Sequence, residues 1–328
     1  MTLLLNRMDV ESLLSMGDAI ACVEEAFRQL ALNNVTLPQR TVIRIPAHHG
    51  VHLGMPAYIG GNMDALGLKV VTVYPDNPAH HGLPTTIGTL LLNDCRTGAP
   101  LAVMEAGYLT AMRTGAAGGV AIKHLARRGV EKAGVFGAGV QAQTQLWAAH
   151  TVRPLEAAYV YDVDGSKARS FAAEMSKRLG IAVNVVGDPR LAVEGMDVII
   201  AASSATEPLF DGNWLAPGQH INGIGSHTPA ARELDTTAVT RARVIADLPD
   251  ACLVEAGDLI IPIQEGAVTK DHIRAGLGDV VAGLKPGREN DQQITLFKSV
   301  GLAIQDVSTA NLVYHRALEA KVGHTFEF

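Results

Sequence analysis

The run Lys132-Ala133-Gly134-Val135-Phe136-Gly137-Ala138-Gly139-Val140-Gln141-Ala142 constrains this chain more than any other. An apolar segment of strand length enters a glycine turn and then a stretch that reads as helix. That order is what a dinucleotide needs. Gly137 permits the tight turn, Gly139 lets backbone approach a pyrophosphate, and small Ala142 lets helix pack on strand. The helix N-terminus presents free N–H groups to phosphates. Glycine turns after strands are common, so G-x-G-x-x-A gains its force from context. Here the context includes Asp162, which closes the next apolar strand. A carboxylate at that place hydrogen-bonds ribose hydroxyls and repels a 2′-phosphate. No arginine occurs in the following run Val163-Asp164-Gly165-Ser166-Lys167, so NAD is favoured over NADP. The plainer alternative is a solvated turn aspartate.

With 328 residues, two domains are the natural expectation. Hydrophobic residues make up 48 %, enough for large cores, and 33 glycines suit many tight strand–helix connections. A net charge of −6 with scattered Lys and Arg gives no electrostatic case for nucleic acid or an anionic membrane. Apolar runs such as 196–202 are far below the roughly 20 residues needed to cross a bilayer. No export signal is apparent at the N-terminus. Cys22, Cys95 and Cys252 lack C-x-x-C spacing, and an odd count of isolated thiols suggests a reducing compartment. Cytoplasm is the expected location.

Residues 9–33 read as helix, with Asp18 able to start a second segment. Residues 40–104 hold β-rich runs at 41–45, 66–73 and 86–92 between Pro/Gly turns, which predicts a mostly antiparallel sheet. From about residue 116 the rhythm is strand–helix. Candidate strands at 133–137, 157–162, 182–186, 197–202, 219–224 and 243–247 alternate with helical patterns, notably 140–150 and 165–179. Such alternation implies an α/β, doubly wound parallel sheet of the Rossmann type beside a second, α+β domain. The tail 294–321 reads as helix and is expected to return to the first domain. The boundaries that follow are 1–116 with 306–328 for a substrate-binding and dimerisation domain, and 117–305 for the NAD-binding domain.

Lys69 stands inside the apolar strand Leu66-Gly67-Leu68-Lys69-Val70-Val71. A buried ammonium is costly, so such a lysine pairs with an anion or has a lowered pKa. The alternative is a lysine snorkelling from the exposed face. Arg113 precedes the small residues Thr114-Gly115-Ala116-Ala117-Gly118-Gly119, where a guanidinium suits a bidentate carboxylate clamp. Arg40, ahead of a β-rich run, is a candidate second arm. His48, His49, His52, His80 and His81 match no helical metal spacing and have no Cys or paired carboxylate, so no metal is expected. A G-x-S-x-G elbow is absent, which removes support for a serine hydrolase.

These residues together resemble the ornithine cyclodeaminase/mu-crystallin family, which includes archaeal-type alanine dehydrogenase and several cyclic-imine reductases. The resemblance covers nearly the whole chain. Its carriers are Met55-Pro56-Ala57-Tyr58, Gly67-Leu68-Lys69, Gly82-Leu83-Pro84-Thr85, the run 110–116, the glycine loop, Arg232-Glu233-Leu234-Asp235 and Phe297-Lys298-Ser299-Val300-Gly301. It implies that the first domain, completed by the C-terminal helix, carries the substrate site and the homodimer interface, and that a Rossmann domain carries NAD. It also implies that Lys69 is an active-site lysine, that Arg40 and Arg113 bind the substrate carboxylate, and that Thr85, Thr114, Gly137, Gly139, Val140, Gln141 and Asp162 meet the cofactor. Ser203, Asn222 and Val300 are further candidate cofactor contacts. True ornithine cyclodeaminases share G-G-D-C-P-G-K, whose aspartate handles the distal amine. The matching stretch here is Gly225-Ser226-His227-Thr228-Pro229-Ala230-Ala231, which puts His227 in that place. Histidine can act as a base near neutral pH but anchors an ammonium less firmly than a carboxylate.

The expected activity is therefore an NAD-dependent oxidoreductase working on the C–N bond of a small amino or imino acid. Its substrate is expected to be Δ1-pyrroline-2-carboxylate, another ketimine, or pyruvate with ammonia. Arg40, Arg113 and Lys69 would fix the acid so that Cα lies near the nicotinamide, and Lys69 or His227 would move a proton. The alternatives are ornithine cyclodeaminase, which makes proline and ammonia with no net NADH change, and a non-catalytic crystallin-like binder.

Overall fold

Gly67, Lys69 and Val71 point to one side of their strand, and that side is the interior. This period-2 alternation organises the first of two units into which the chain divides, Met1–Arg113 with Leu302–Phe328. A computed structural model describes residues 1–327. In this first unit β1 (Thr2–Leu5) leads to α1 (Arg7–Leu13) and α2 (Met16–Ala31). The helical stretch expected over 9–33 is two helices, the second starting at Met16, near the start that Asp18 offers, because Leu14 is extended and Ser15 caps α2 by accepting from the Asp18 N–H. Then come β2 (Val35–Thr36), β3 (Thr41–Ile45), β4 (Gly50–Ile59), β5 (Ala65–Val73), α3 (Asn77–His80), β6 (Thr86–Asn93) and β7 (Pro100–Glu105). Strands β2 to β7 pair antiparallel, while β1 joins β7 in parallel.

Helix α4 (Gly107–Leu125) begins in this unit, and its part from Thr114 onward belongs to the second unit, Thr114–Gly301. There β8 (Lys132–Phe136), α5 (Val140–Val152), β9 (Ala157–Tyr161), α6 (Gly165–Leu179), β10 (Ala182–Val185), β11 (Val198–Ala201) and β12 (His220–Gly223) follow in order. They are succeeded by α7 (Thr236–Arg241), β13 (Ala242–Ala246), α8 (Pro249–Glu255), α9 (Gly257–Gln264), β14 (Ile273–Gly276), α10 (Leu277–Val281) and β15 (Ile294–Lys298). All eight strands run parallel in the order β10-β9-β8-β11-β12-β15-β13-β14. Strands β8, β11 and β15 are almost continuously buried and apolar, as helix-covered parallel strands must be. From β8 the chain winds one way through β9 and β10, then resumes on the other side at β11. That reversal creates a crevice at the carboxyl ends of β8 and β11, where doubly wound sheets bind ligands.

The expected helix over 294–321 is corrected. Residues 294–298 form β15, and only Ala303–Ala320 is helical, as α11 of the first unit. A five-residue run buried at every position carries no period that separates strand from helix. The expected return at residue 306 would have cut α11 in two; the division instead falls before Leu302. The short edge strand β16 (His324–Phe326) pairs with β1. No helix among the described residues is long and apolar enough to cross a membrane.

Candidate active site

In the first unit the sheet register sets Lys69 in a row with Met55 on β4, Leu90 on β6 and Met104 on β7, all facing the core. Lys69 is 1 % exposed, so the snorkelling alternative fails. Helix α11 lies over this row. Gly67 makes the close approach possible, since a Cβ there would stand 2.9 Å from the Leu91 carbonyl and 3.2 Å from Val307. The ammonium of Lys69 reaches Asp306 Oδ1 at 2.8 Å. Arg113 Nε lies 2.8 Å from the same oxygen but off the line of a hydrogen bond, so that contact is chiefly coulombic. The Arg113 Nη1 donates to Gln305 Oε1 at 2.6 Å. Burial first, and then the Arg113 guanidinium, push the Lys69 pKa down to about 7; Asp306 opposes the fall and the charge of Arg40 adds to it. Arg40 itself is half-buried.

Two cations therefore share one carboxylate. The remaining polar atoms of the helix pair, Asp306 Oδ2 and Gln305 Nε2, are buried without a hydrogen-bond partner among the described residues. A buried surplus of positive charge with spare donors is a poor way to stabilise a fold and a good way to receive an acid. Thr85 lies half-buried in the loop before β6, where its carbonyl accepts from Tyr74 N–H at 2.8 Å.

In the second unit Gly137 has φ +94°, and a Cβ on it would lie 2.6 Å from the Ala202 carbonyl. The glycine loop after β8 and the loop after β11 thus touch at the crevice, and only glycine fits between them. Gly139 is exposed, takes the N-cap place of α5 with no side-chain cap, and has open space around its Cα. Exposed Val140 and half-buried Gln141 form the first turn behind it. A thirteen-residue helix with an open, uncapped start is suited to a pyrophosphate. Asp162 accepts from Ala138 N–H and Asp164 N–H, both at 2.8 Å. Those two bonds brace the glycine loop and leave a carboxylate with lone pairs to spare. The geometry fits a dinucleotide.

Three buried carboxylates, of which the sequence singles out only Glu233 and only as part of a family motif, hold the ends of these strands. Glu233 accepts from Ser203 N–H and Oγ–H, each at 2.7 Å, and from Gly225 N–H at 2.6 Å, joining the loops after β11 and β12. Burial chiefly raises its pKa, against the Lys298 charge. Asp247 accepts from Ser299 Oγ–H, Val300 N–H and Gly301 N–H, fixing the turn after β15. Asp258 accepts from Glu233 N–H and Leu234 N–H and pairs with Lys298 at 2.7 Å, both side chains fully buried. Asn222 turns inward: its Nδ2 donates to Gln145 Oε1 and the Gly118 carbonyl, and its Oδ1 accepts from His220. Gln145 in turn donates to the Thr114 carbonyl at 2.7 Å. Asn222 is thus an internal brace that leaves no side-chain atom for a cofactor. His227 is exposed, and its Nδ1 donates to the Gly225 carbonyl at 2.8 Å, leaving Nε2 as the nitrogen that can take a proton. The structure groups Lys69, Arg113 and the charge of Arg40 in one unit, and the glycine loop, Asp162 and Ser203 in the other. Among the described residues His227 has no acidic partner.

The ornithine cyclodeaminase/mu-crystallin family model matches residues 1–321. The chain belongs to that family. Among its members, the structure of Δ1-pyrroline-2-carboxylate reductase from Thermococcus litoralis, in complex with NADH and L-proline, superposes with a TM-score of 0.96 at 49 % identity, covering 99 % of this chain and 100 % of that one. An archaeal alanine dehydrogenase dimer with bound NAD superposes with a TM-score of 0.94 at 38 % identity, covering 100 % and 99 %. The Δ1-pyrroline-2-carboxylate reductase of Bacillus cereus is 37 % identical over 327 residues, 99 % of this chain and 100 % of the relative. Asp306 escaped the sequence reading because it lies in the tail helix, 237 positions from Lys69 in the chain, and only the fold brings them together.

Proposed function

We propose that this chain is an NAD-dependent oxidoreductase that interconverts a small cyclic α-imino acid and the corresponding amino acid, with Δ1-pyrroline-2-carboxylate and proline as the first pair to test. The observation that carries this reading is the buried Lys69–Arg113–Asp306 cluster, two cations on one carboxylate in an apolar sheet face. A substrate carboxylate supplies the missing anion. Arg113, assisted by Arg40, holds that acid group, and the fork of a guanidinium fixes its plane. Lys69 then lies at the substrate nitrogen. With a pKa of about 7 it can present a proton to the imine nitrogen in reduction or withdraw one from the amine nitrogen in oxidation.

The second unit holds the cofactor. Gly137, Gly139, Val140 and Gln141 receive the pyrophosphate, Asp162 the adenosine ribose, and Thr114, Ser203 and Val300 stand as further contacts, with Asn222 bracing the crevice from within. The carboxylate of Asp162, followed by exposed Val163 and by Asp164, favours NAD over NADP. When bound, the nicotinamide supplies two-electron redox chemistry at Cα. His227, on the loop after β12, is the candidate for a second proton carrier. The complexes of relatives with NADH and L-proline and with NAD support this assignment.

A homodimer belongs to the same proposal. Pro56, Leu68, Leu91, Val103 and Leu4 are register neighbours on the other face of the first unit's sheet, and all are partly exposed. A contiguous apolar row of this kind suits a self-complementary contact with a second copy. The function is tested by following NADH absorbance with Δ1-pyrroline-2-carboxylate, with pyruvate plus ammonia, and with ornithine. Consumption of NADH matched to proline formed supports the proposal. Proline and ammonia from ornithine without net NADH change would replace it with a cyclodeaminase.

A further inference from the structure

We propose that Asp306 is the positioning residue of this site: its single buried carboxylate, shared between Lys69 and Arg113, decides whether Lys69 carries its charge and keeps one positive charge uncompensated for the incoming acid. The inference rests on the functional reading above and gives a role to the one member of its cluster left without one, on a helix contributed by the far end of the chain.

The geometry is specific. Lys69 and Arg113 approach the same oxygen, Oδ1, each at 2.8 Å, so neither cation has the carboxylate to itself. Gln305, the preceding residue of α11, takes the Nη1 of Arg113 and thereby turns the guanidinium so that Nε faces Asp306. The surroundings of Lys69 can be enumerated. Its strand neighbours Met55 and Leu90 are apolar and buried. The charged groups that act on it are Asp306 from α11, Arg113 from α4 and Arg40 from the segment before β3. Of these only Asp306 favours the ammonium; the two arginines and burial oppose it. Removing the carboxylate therefore leaves nothing to hold the proton on Lys69, and removing Arg113 frees the carboxylate for Lys69 alone. The two changes should move the lysine in opposite directions, which a purely structural role for Asp306 does not predict.

The experiment uses the full chain without cofactor or substrate, with lysines labelled with 13C at Cε and the Lys69 resonance assigned by its loss in Lys69→Ala. In the wild type the resonance should titrate near pH 7. Asp306→Asn should lower the midpoint by about one pH unit or more, as expected for loss of an adjacent opposite charge. Asp306→Glu should return it towards the wild-type position. Arg113→Gln should raise it, and this variant decides the matter by itself if Asp306→Asn does not fold. A wild-type midpoint at the ordinary lysine value, or a midpoint unmoved by Arg113→Gln or by a folded Asp306→Asn, overturns the proposal. Because the titration is read on the apoprotein, failure to turn over any imino acid would sink the functional reading and leave this one standing, whereas an unmoved midpoint would do the reverse.

Discussion

Lys69 shows how one residue can be costly to the fold and useful to the chemistry. Its folded pKa of about 7 lies below the ordinary 10.5, so between those values the unfolded chain binds more protons than the folded one. Stability therefore rises with pH across that window, by up to about 1.4 kcal/mol per unit of separation, and the cost is fully present below pH 7. Chemical denaturation at pH 7 and pH 9.5 should show this slope in the wild type and lose it in Lys69→Met; equal slopes would mean Lys69 is not titrating in the fold. The same proton sets the activity profile. Imine reduction, which needs the ammonium, should decline as pH rises through about 7, while amino-acid oxidation should gain. Lys69→Ala should keep NAD affinity within about threefold and lose at least a hundredfold in kcat, given the usual worth of a placed acid.

At the scale of elements, what the sequence discloses depends on whether the signal is local. The glycine turn between β8 and α5, the strand–helix rhythm over 132–201 and the antiparallel runs over 41–93 could all be read, because each is written in neighbouring residues. Strand β15 could not, since Ile294–Lys298 is buried at every position and shows no alternation that marks a strand. Lys69 and Arg113 stood out because a charge interrupts an apolar or small-residue run. Asp306, Asp247 and Asp258 did not, and Glu233 was legible only as part of a family motif, because an acidic residue in a loop or helix looks solvated until its partners are known. These hidden carboxylates yield a prediction. The Glu233 carboxylate ties the start of the loop after β11 to the start of the loop after β12, so Glu233→Ala should weaken NAD binding tenfold or more by calorimetry, and unchanged affinity would show that the crevice holds its shape without it. A second concerns the β12–β15 pair. His220, between Thr295 and Asn222, is driven down to about 3 by burial and so is neutral in the fold. Below its ordinary value of 6.5 the unfolded chain takes up the proton first, so stability falls as pH drops from 6.5 towards 3. The fall amounts to a few kcal/mol at about 1.4 kcal/mol per unit. Urea midpoints at pH 7 and pH 5 should separate in the wild type and converge in His220→Gln.

For the whole molecule, the sheet of the first unit has two kinds of face. One, with Lys69, meets α11; the other carries the apolar row through Leu68, whose burial against a second copy is proposed. Leu68→Asp should therefore yield monomers by light scattering, and a dimer that survives the charge would place the contact elsewhere. The central claim is that the chain carries out net redox chemistry at a C–N bond, using NAD as a substrate that is consumed. It is tested most directly by a stoichiometric assay with Δ1-pyrroline-2-carboxylate, measuring NADH lost and proline gained in the same vessel. One NADH oxidised per proline formed is the predicted result. No NADH consumption with that imine, together with ammonia release and proline from ornithine at constant NADH, would contradict it.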